Sequence, residues 1–131
     1  MIKGILIEEG KDLVRVETLP GDLPGYYSAL DCSCIDIASV KIGPFVVDLV
    51  LDDEGLLTQR RPTIFSGDRR PMYVGSVFIC SVDEDGREVD LPDDAMSYIL
   101  GECMGYYSYE AETDSGEREL RRQSCLIGVA E

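Results

Sequence analysis

Histidine and tryptophan are absent from this chain, and cations are scarce. Twelve lysines and arginines face 26 aspartates and glutamates, a formal charge of −14 over 131 residues. Without histidine, the commonest general base and metal ligand near neutral pH is missing, and no Cys-His nucleophile can form. The charge argues against direct DNA or RNA binding, because it repels phosphate unless a basic segment dominates locally. No apolar run approaches the roughly 20 residues of a spanning helix, so no membrane role is expected. The opening Met1-Ile2-Lys3-Gly4-Ile5-Leu6-Ile7 runs straight into Glu8 and Glu9 and has no small-residue cleavage site, unlike a secretory leader. Gly-rich phosphate loops are missing as well. Five cysteines, odd in number and scattered, suit reduced thiols better than a disulfide framework. The expectation is a cytoplasmic protein that binds rather than catalyses, with no cofactor and no metal.

What is present suits one folded domain over residues 1–131. The length is near the modal domain size, and 44 % of residues are hydrophobic. Residues 2–8 and 12–17 read as an opening β-hairpin around Glu9-Gly10-Lys11. Residues 23–30 offer a short helix, weakened by Pro24-Gly25. Residues 34–40 alternate apolar and polar as a half-buried strand does, and 44–51 and 72–82 are stronger strands. Two acidic turns follow strands, Asp52-Asp53-Glu54-Gly55 and Asp83-Glu84-Asp85-Gly86. Helical spacing of Ala95, Met96, Ile99, Leu100 and Cys103 after Leu91-Pro92-Asp93-Asp94 predicts the main helix at 93–103. Residues 106–111 and 124–130 form a last strand pair about a turn at 113–116. The fold class expected is α+β, a mainly antiparallel sheet with one main helix and a short second one.

Several of these segments carry a resemblance. The opening Met1 to Ile7 with Glu8, Gly10 and Lys11, the stretch Val50 to Leu57, Arg60-Arg61-Pro62 and Gly75 to Gly86 resemble a family of small uncharacterised proteins. These occur in phages, plasmids and related mobile elements of Gram-positive bacteria. The resemblance covers about residues 1–100 and leaves 101–131 as an acidic extension. It implies a mobile-element origin and an intracellular setting, and it carries no catalytic residue.

Three constellations bear on function. Cys32-Ser33-Cys34 is too close-spaced for a zinc pair and has no second pair, so it reads as two small side chains packed on one sheet face. The acidic turns lack the ligand spacing and flanking helices of a calcium loop. The segment Gln59 to Tyr73 repeats Arg-Arg-Pro, and the prolines predict an extended, exposed loop. Its Arg60, Arg61, Arg69 and Arg70 could grip an anionic, nucleotide-like ligand or neutralise the protein's own carboxylates. Residues 82–131 carry a net −10 and residues 1–81 a net −4. Asp93, Asp94, Glu110, Glu112, Asp114, Glu117 and Glu119 could therefore form an acidic face for a protein partner with a basic surface. The concrete form is a nucleic-acid mimic that inhibits a defence or nucleic-acid-processing factor. A merely solubilising surface and a structural homo-oligomer, such as a homodimer, are the plainer readings.

Overall fold

A computed structural model describes residues 1–54 and 60–131. Strands β1 (Ile2–Ile7) and β2 (Val14–Leu19) make the opening hairpin, with Ile2 opposite Leu19 and Ile7 opposite Val14. Helix α1 (Leu23–Leu30) follows. Pro24-Gly25 does not weaken it: Pro24 lies in the first turn, where its missing N–H costs nothing, and Asp22 caps the helix by accepting from Gly25 N at 2.9 Å. Strands β3 (Ile35–Ile42) and β4 (Phe45–Asp52) form the next hairpin. The acidic turn after β4 is described only as far as Glu54, and its Gly55 lies outside the described residues.

The segment expected as an exposed loop is instead a hairpin of β5 (Pro62–Ser66) and β6 (Pro71–Val74). Each proline opens a strand, a position that tolerates the missing N–H. Thr63 and Ile64 between them are fully buried. The long strand expected at 72–82 is accordingly two. Gly75, at φ +88°, turns the chain between β6 and β7 (Val77–Val82). Its N–H donates to Arg61 O at 2.9 Å, and its carbonyl accepts from Thr63 Oγ1 at 2.6 Å.

A short β8 (Glu88–Val89) returns along β7. Helix α2 (Asp93–Tyr98) then leads into a π-helical turn, Ile99–Cys103. The span expected as the main helix is thus six α residues and five of wider winding, and α1 is the longer regular α-helix. Strands β9 (Met104–Glu112) and β10 (Arg118–Ala130) form a long antiparallel ribbon.

These strands build one sheet in the order β2-β1-β7-β4-β3-β10-β5-β6, with β8 beside β7 and β9 beside β10. Among the described strand pairs only β5 with β10 is parallel. Strand β7 is central, and its two-residue period feeds two cores. Val77 and Ile79 pack with Ile5, Leu49, Ile64 and Ile99 on the α2 side. Phe78 packs with Leu6, Val50, Tyr26 and Leu30 on the α1 side, where Cys80 is also buried. Gly4 lets β1 approach β7 there, since a side chain at residue 4 would collide with the Phe78 ring and the Ile79 carbonyl.

The α1-side core also contains a misfit. Asp48 lies directly across from Cys80 and is 7 % exposed, yet makes no hydrogen bond or ion pair among the described residues. Tyr26 Oη is buried nearby, without a hydrogen-bond partner among the described residues. Burial raises the Asp48 pKa, with Glu88 adding to the shift. Burial likewise pushes Tyr26 and Cys80 up to about 12. A carboxyl whose folded pKa is raised stabilises fully only below its unfolded pKa and loses that contribution as pH rises through the folded value. Asp48→Asn should therefore raise the melting temperature at pH 7. The gain should close as pH falls below the unfolded aspartate value of about 3.9, where the carboxyl is neutral in both states. Thermal melts across that range check this, and a gain independent of pH would contradict it.

Candidate functional site

The residues that organise the ribbon's surroundings begin at its root. Gln123 on β10 is fully buried and spends its amide on the β1–β2 loop. Its Oε1 accepts from Gly10 N at 2.6 Å, and its Nε2 donates to Glu8 O at 3.0 Å and Lys11 O at 3.3 Å. Ser124 Oγ donates to Asp12 Oδ1 at 2.8 Å, and Arg122 Nε lies 3.1 Å from Asp12 Oδ2. Glu8 in the same loop is held below the usual carboxylate range, chiefly by its hydrogen bond from Lys11 and also by Arg15, against the opposing effect of burial.

Glu9 extends this junction to the first arginine pair. Its carboxylate, with a side chain 10 % exposed, meets Arg60 Nη1 and Arg61 Nη1 at 3.5 Å each. Arg60 also lies 3.9 Å from Asp52 and 3.8 Å from Asp31. Arg61 stacks on the Tyr109 ring, 3.8 Å from its centroid. Arg60 and Arg61 therefore neutralise the protein's own carboxylates, one of the two roles anticipated for them. Arg69 and Arg70, at the exposed β5–β6 turn, have no ion pair among the described residues. The four arginines do not converge.

Between the β5–β6 hairpin and the ribbon runs a groove of about 340 Å³. Phe65, Tyr106, Tyr107 and Ile127 line it, Pro62 closes one side, and Arg69 reaches it from the turn. The Phe65 and Tyr107 rings meet edge to face at 5.7 Å, and Tyr107 Oη donates to Pro62 O at 2.8 Å. Burial pushes the Tyr107 phenol up to about 12, so it stays protonated and keeps that bond. The aromatic run Tyr106-Tyr107-Ser108-Tyr109 was the available sequence signal. Its role depends on which face of β9 meets β5, and the spacing alone does not give that.

The seven acids expected to share a face are divided. Asp93 and Asp94 open α2 beside the start of β1, where Lys3 Nζ lies 3.9 Å from Asp93. The ribbon is anchored at the other end of β1 through Glu8 and Gly10. Along the ribbon, Glu110 lies opposite Leu120 while Glu119 lies opposite Ala111, so alternate residues send the two acids to opposite faces. Glu110 pairs with Arg118 at 3.0 Å, and Glu119 pairs with Arg121. Asp114 lies in the turn, with Glu112 and Glu117 beside it.

The denser acidic surface is the segment Asp83 to Asp94. It holds seven acids and one arginine, a net −6, against −2 for residues 104–122. Asp83, Glu84, Asp85, Asp90, Asp93 and Asp94 are all exposed.

The cysteines form no pair: all five are free thiols. Cys32 and Cys34 precede β3 rather than sharing a strand face; the first is half-buried and the second exposed. Burial raises the pKa of Cys32, Cys80, Cys103 and Cys125. No helix among the described residues is long and apolar enough to cross a membrane.

Fold and site together define an α+β domain with a long β-ribbon. Residues 2–103 match the family described as a domain of unknown function (DUF3846), and the chain belongs to that family. The matched span ends at the last residue of the π turn, so β9 and β10 lie beyond it. No curated protein and no solved structure matches the chain.

Removing the Gln123 amide would leave Gly10 N–H and two loop carbonyls without their partner. Gln123→Ala should destabilise the protein by about 3 kcal/mol in urea unfolding. A loss below about 1 kcal/mol would mean that the junction contributes little.

Proposed function

We propose that this protein is a non-enzymatic accessory protein that binds a protein partner with a basic surface, and that Asp83 to Asp94 is its contact surface. The observation that carries this reading is the net −6 over twelve residues, with six of the seven acids exposed and Arg87 and Lys3 as the local cations. Charge of one sign at that density steers a basic partner and sets its approach. A nucleic-acid-binding cleft is the kind of partner surface that fits, because it is built to receive closely spaced negative charge. The reading keeps Asp93 and Asp94 and shifts the remaining contacts from the ribbon acids to Asp83, Glu84, Asp85 and Asp90.

Binding rather than catalysis is supported by the chemistry of the nucleophiles at hand. The buried thiols are held protonated at neutral pH, and no histidine is available to activate them. The motif resemblance to small proteins of phages and mobile elements of Gram-positive bacteria supports an accessory role inside the cytoplasm. There the partner would be a host protein or one of the element itself.

Affinity capture from the natural host, at low and high salt, tests the reading with three proteins. The wild type should retain a basic partner at low salt and lose it at high salt. A variant with Asp83, Glu84, Asp93 and Asp94 changed to Asn or Gln should fail to retain that partner. A variant neutralised at Glu110, Glu112, Asp114 and Glu117 should behave as the wild type. Equal retention by the first variant at low salt would refute the assignment.

A further inference from the structure

The same three-residue hairpin loop occurs three times in this fold. In each, the residue before the loop donates its N–H to the carbonyl of the residue after it, and a second bond runs back from the last loop residue. The pairs are Ser66 with Arg70, Asp83 with Arg87, and Thr113 with Glu117. The last loop residue must adopt left-handed backbone, which favours glycine. Two of the loops place Gly86 and Gly116 there, at φ +80° and +85°. The third places Arg69 there, at φ +61°, although Gly67 stands two residues earlier in the same loop at a position that does not need it. An arginine at a glycine position costs conformational energy, and such outliers cluster where function holds them.

Arg69 reaches the aromatic groove, and its charge acts on Cys125 beside it, opposing the rise that burial imposes on that thiol. No carboxylate among the described residues pairs with it, in a protein with 26 of them. The groove offers what a flat ring needs. Phe65 and Tyr107 form an apolar wall, and Tyr107 has already committed its hydroxyl to Pro62 O. The Tyr106 ring, under the Arg122 guanidinium, belongs to the opposite face of the ribbon, so the groove is walled by the Phe65 and Tyr107 rings with Cys125 and Ile127 beside them. Stacking on aromatic rings is indifferent to which base is presented, and a free arginine supplies bidentate contacts to a phosphate. A volume of about 340 Å³ is at the small end for ligand sites.

From this we infer that the groove between the β5–β6 hairpin and the ribbon is a binding site for a planar aromatic anion of the nucleoside monophosphate class. Phe65 and Tyr107 receive the ring, and Arg69 takes the phosphate. The site is separate from the acidic segment and needs neither Arg60 nor Arg61.

Thermal melts with AMP, GMP, CMP or UMP test this, with adenosine and inorganic phosphate as single-feature controls. A monophosphate should raise the melting temperature in the millimolar range, because a ligand of the native state must stabilise it, while each control gives little shift. Arg69→Gly should melt at or above the wild type, since it restores the residue used in the other two loops, yet bind at least about tenfold more weakly. Phe65→Ala, which removes the ring that meets Tyr107 edge to face, should also reduce the shift. Three results would overturn the inference. The first is no shift with any monophosphate at about 10 mM. The second is an unchanged shift in Arg69→Gly. The third is a shift from inorganic phosphate equal to that from the monophosphates.

Discussion

One buried amide joins the two halves of this molecule. Gln123 sits at the root of the ribbon, 113 residues in sequence from Gly10, and holds the β1–β2 loop by both ends of its side chain. A buried amide must have its partners or forfeit its desolvation energy, so the loop is fixed wherever β10 is fixed. The next residue of that loop with consequence is Glu9, which holds Arg60 and Arg61. Arg61 in turn lies on Tyr109, and Tyr107 bonds to Pro62. The face of the ribbon toward β5, and with it the aromatic groove, follows from this chain of contacts.

The charge of −14 is accommodated in three different ways. Acids at the surface of the β7–β8 turn and the α2 start stay hydrated and cost the fold little. Glu9 and Asp52, largely buried, have Arg60 beside them, where a pair matters more than exposed pairs of the Glu110–Arg118 kind. Asp48 is the exception, buried beside Cys80 without a cation among the described residues. This division explains why global charge was a poor guide to where uncompensated acid density lies. Much of the negative charge of the C-terminal segment is met by arginines of β10, and the uncompensated density lies earlier, at 83–94.

Much of the fold was legible because its signals are local. The opening hairpin and the β3–β4 hairpin follow from period-two patterns and turn residues, and they and α1 appear close to the expected bounds. The second ribbon strand, expected at 124–130, begins already at Arg118. The errors have physical causes. Two prolines and four arginines disguised β5 and β6, because a parallel partner in β10 buries Thr63 and Ile64 from a distance of some sixty residues. Gly75 split a strand that hydropathy ran together. The helical spacing of 93–103 was visible, but its change to π winding depends on tertiary packing of Ile99 and Cys103. Of the site, the arginines were visible as a motif. Their division into two paired and two unpaired was not, because Glu9 lies some fifty residues away.

The domain thus carries two separate surfaces, an acidic end held near the start of β1 and an aromatic groove held near its end. Both depend on the sheet being one body, and the Gln123 junction is where that dependence is most exposed. Amide hydrogen exchange at Gly10 tests it directly. That N–H lies in a loop, outside every strand ladder, and its recorded acceptor is the Gln123 side chain. Exchange as slow as that of the β7 core amides is predicted, because opening would require the ribbon root to detach. Exchange at the rate of an unprotected loop amide would contradict the central claim that this amide binds the two halves together.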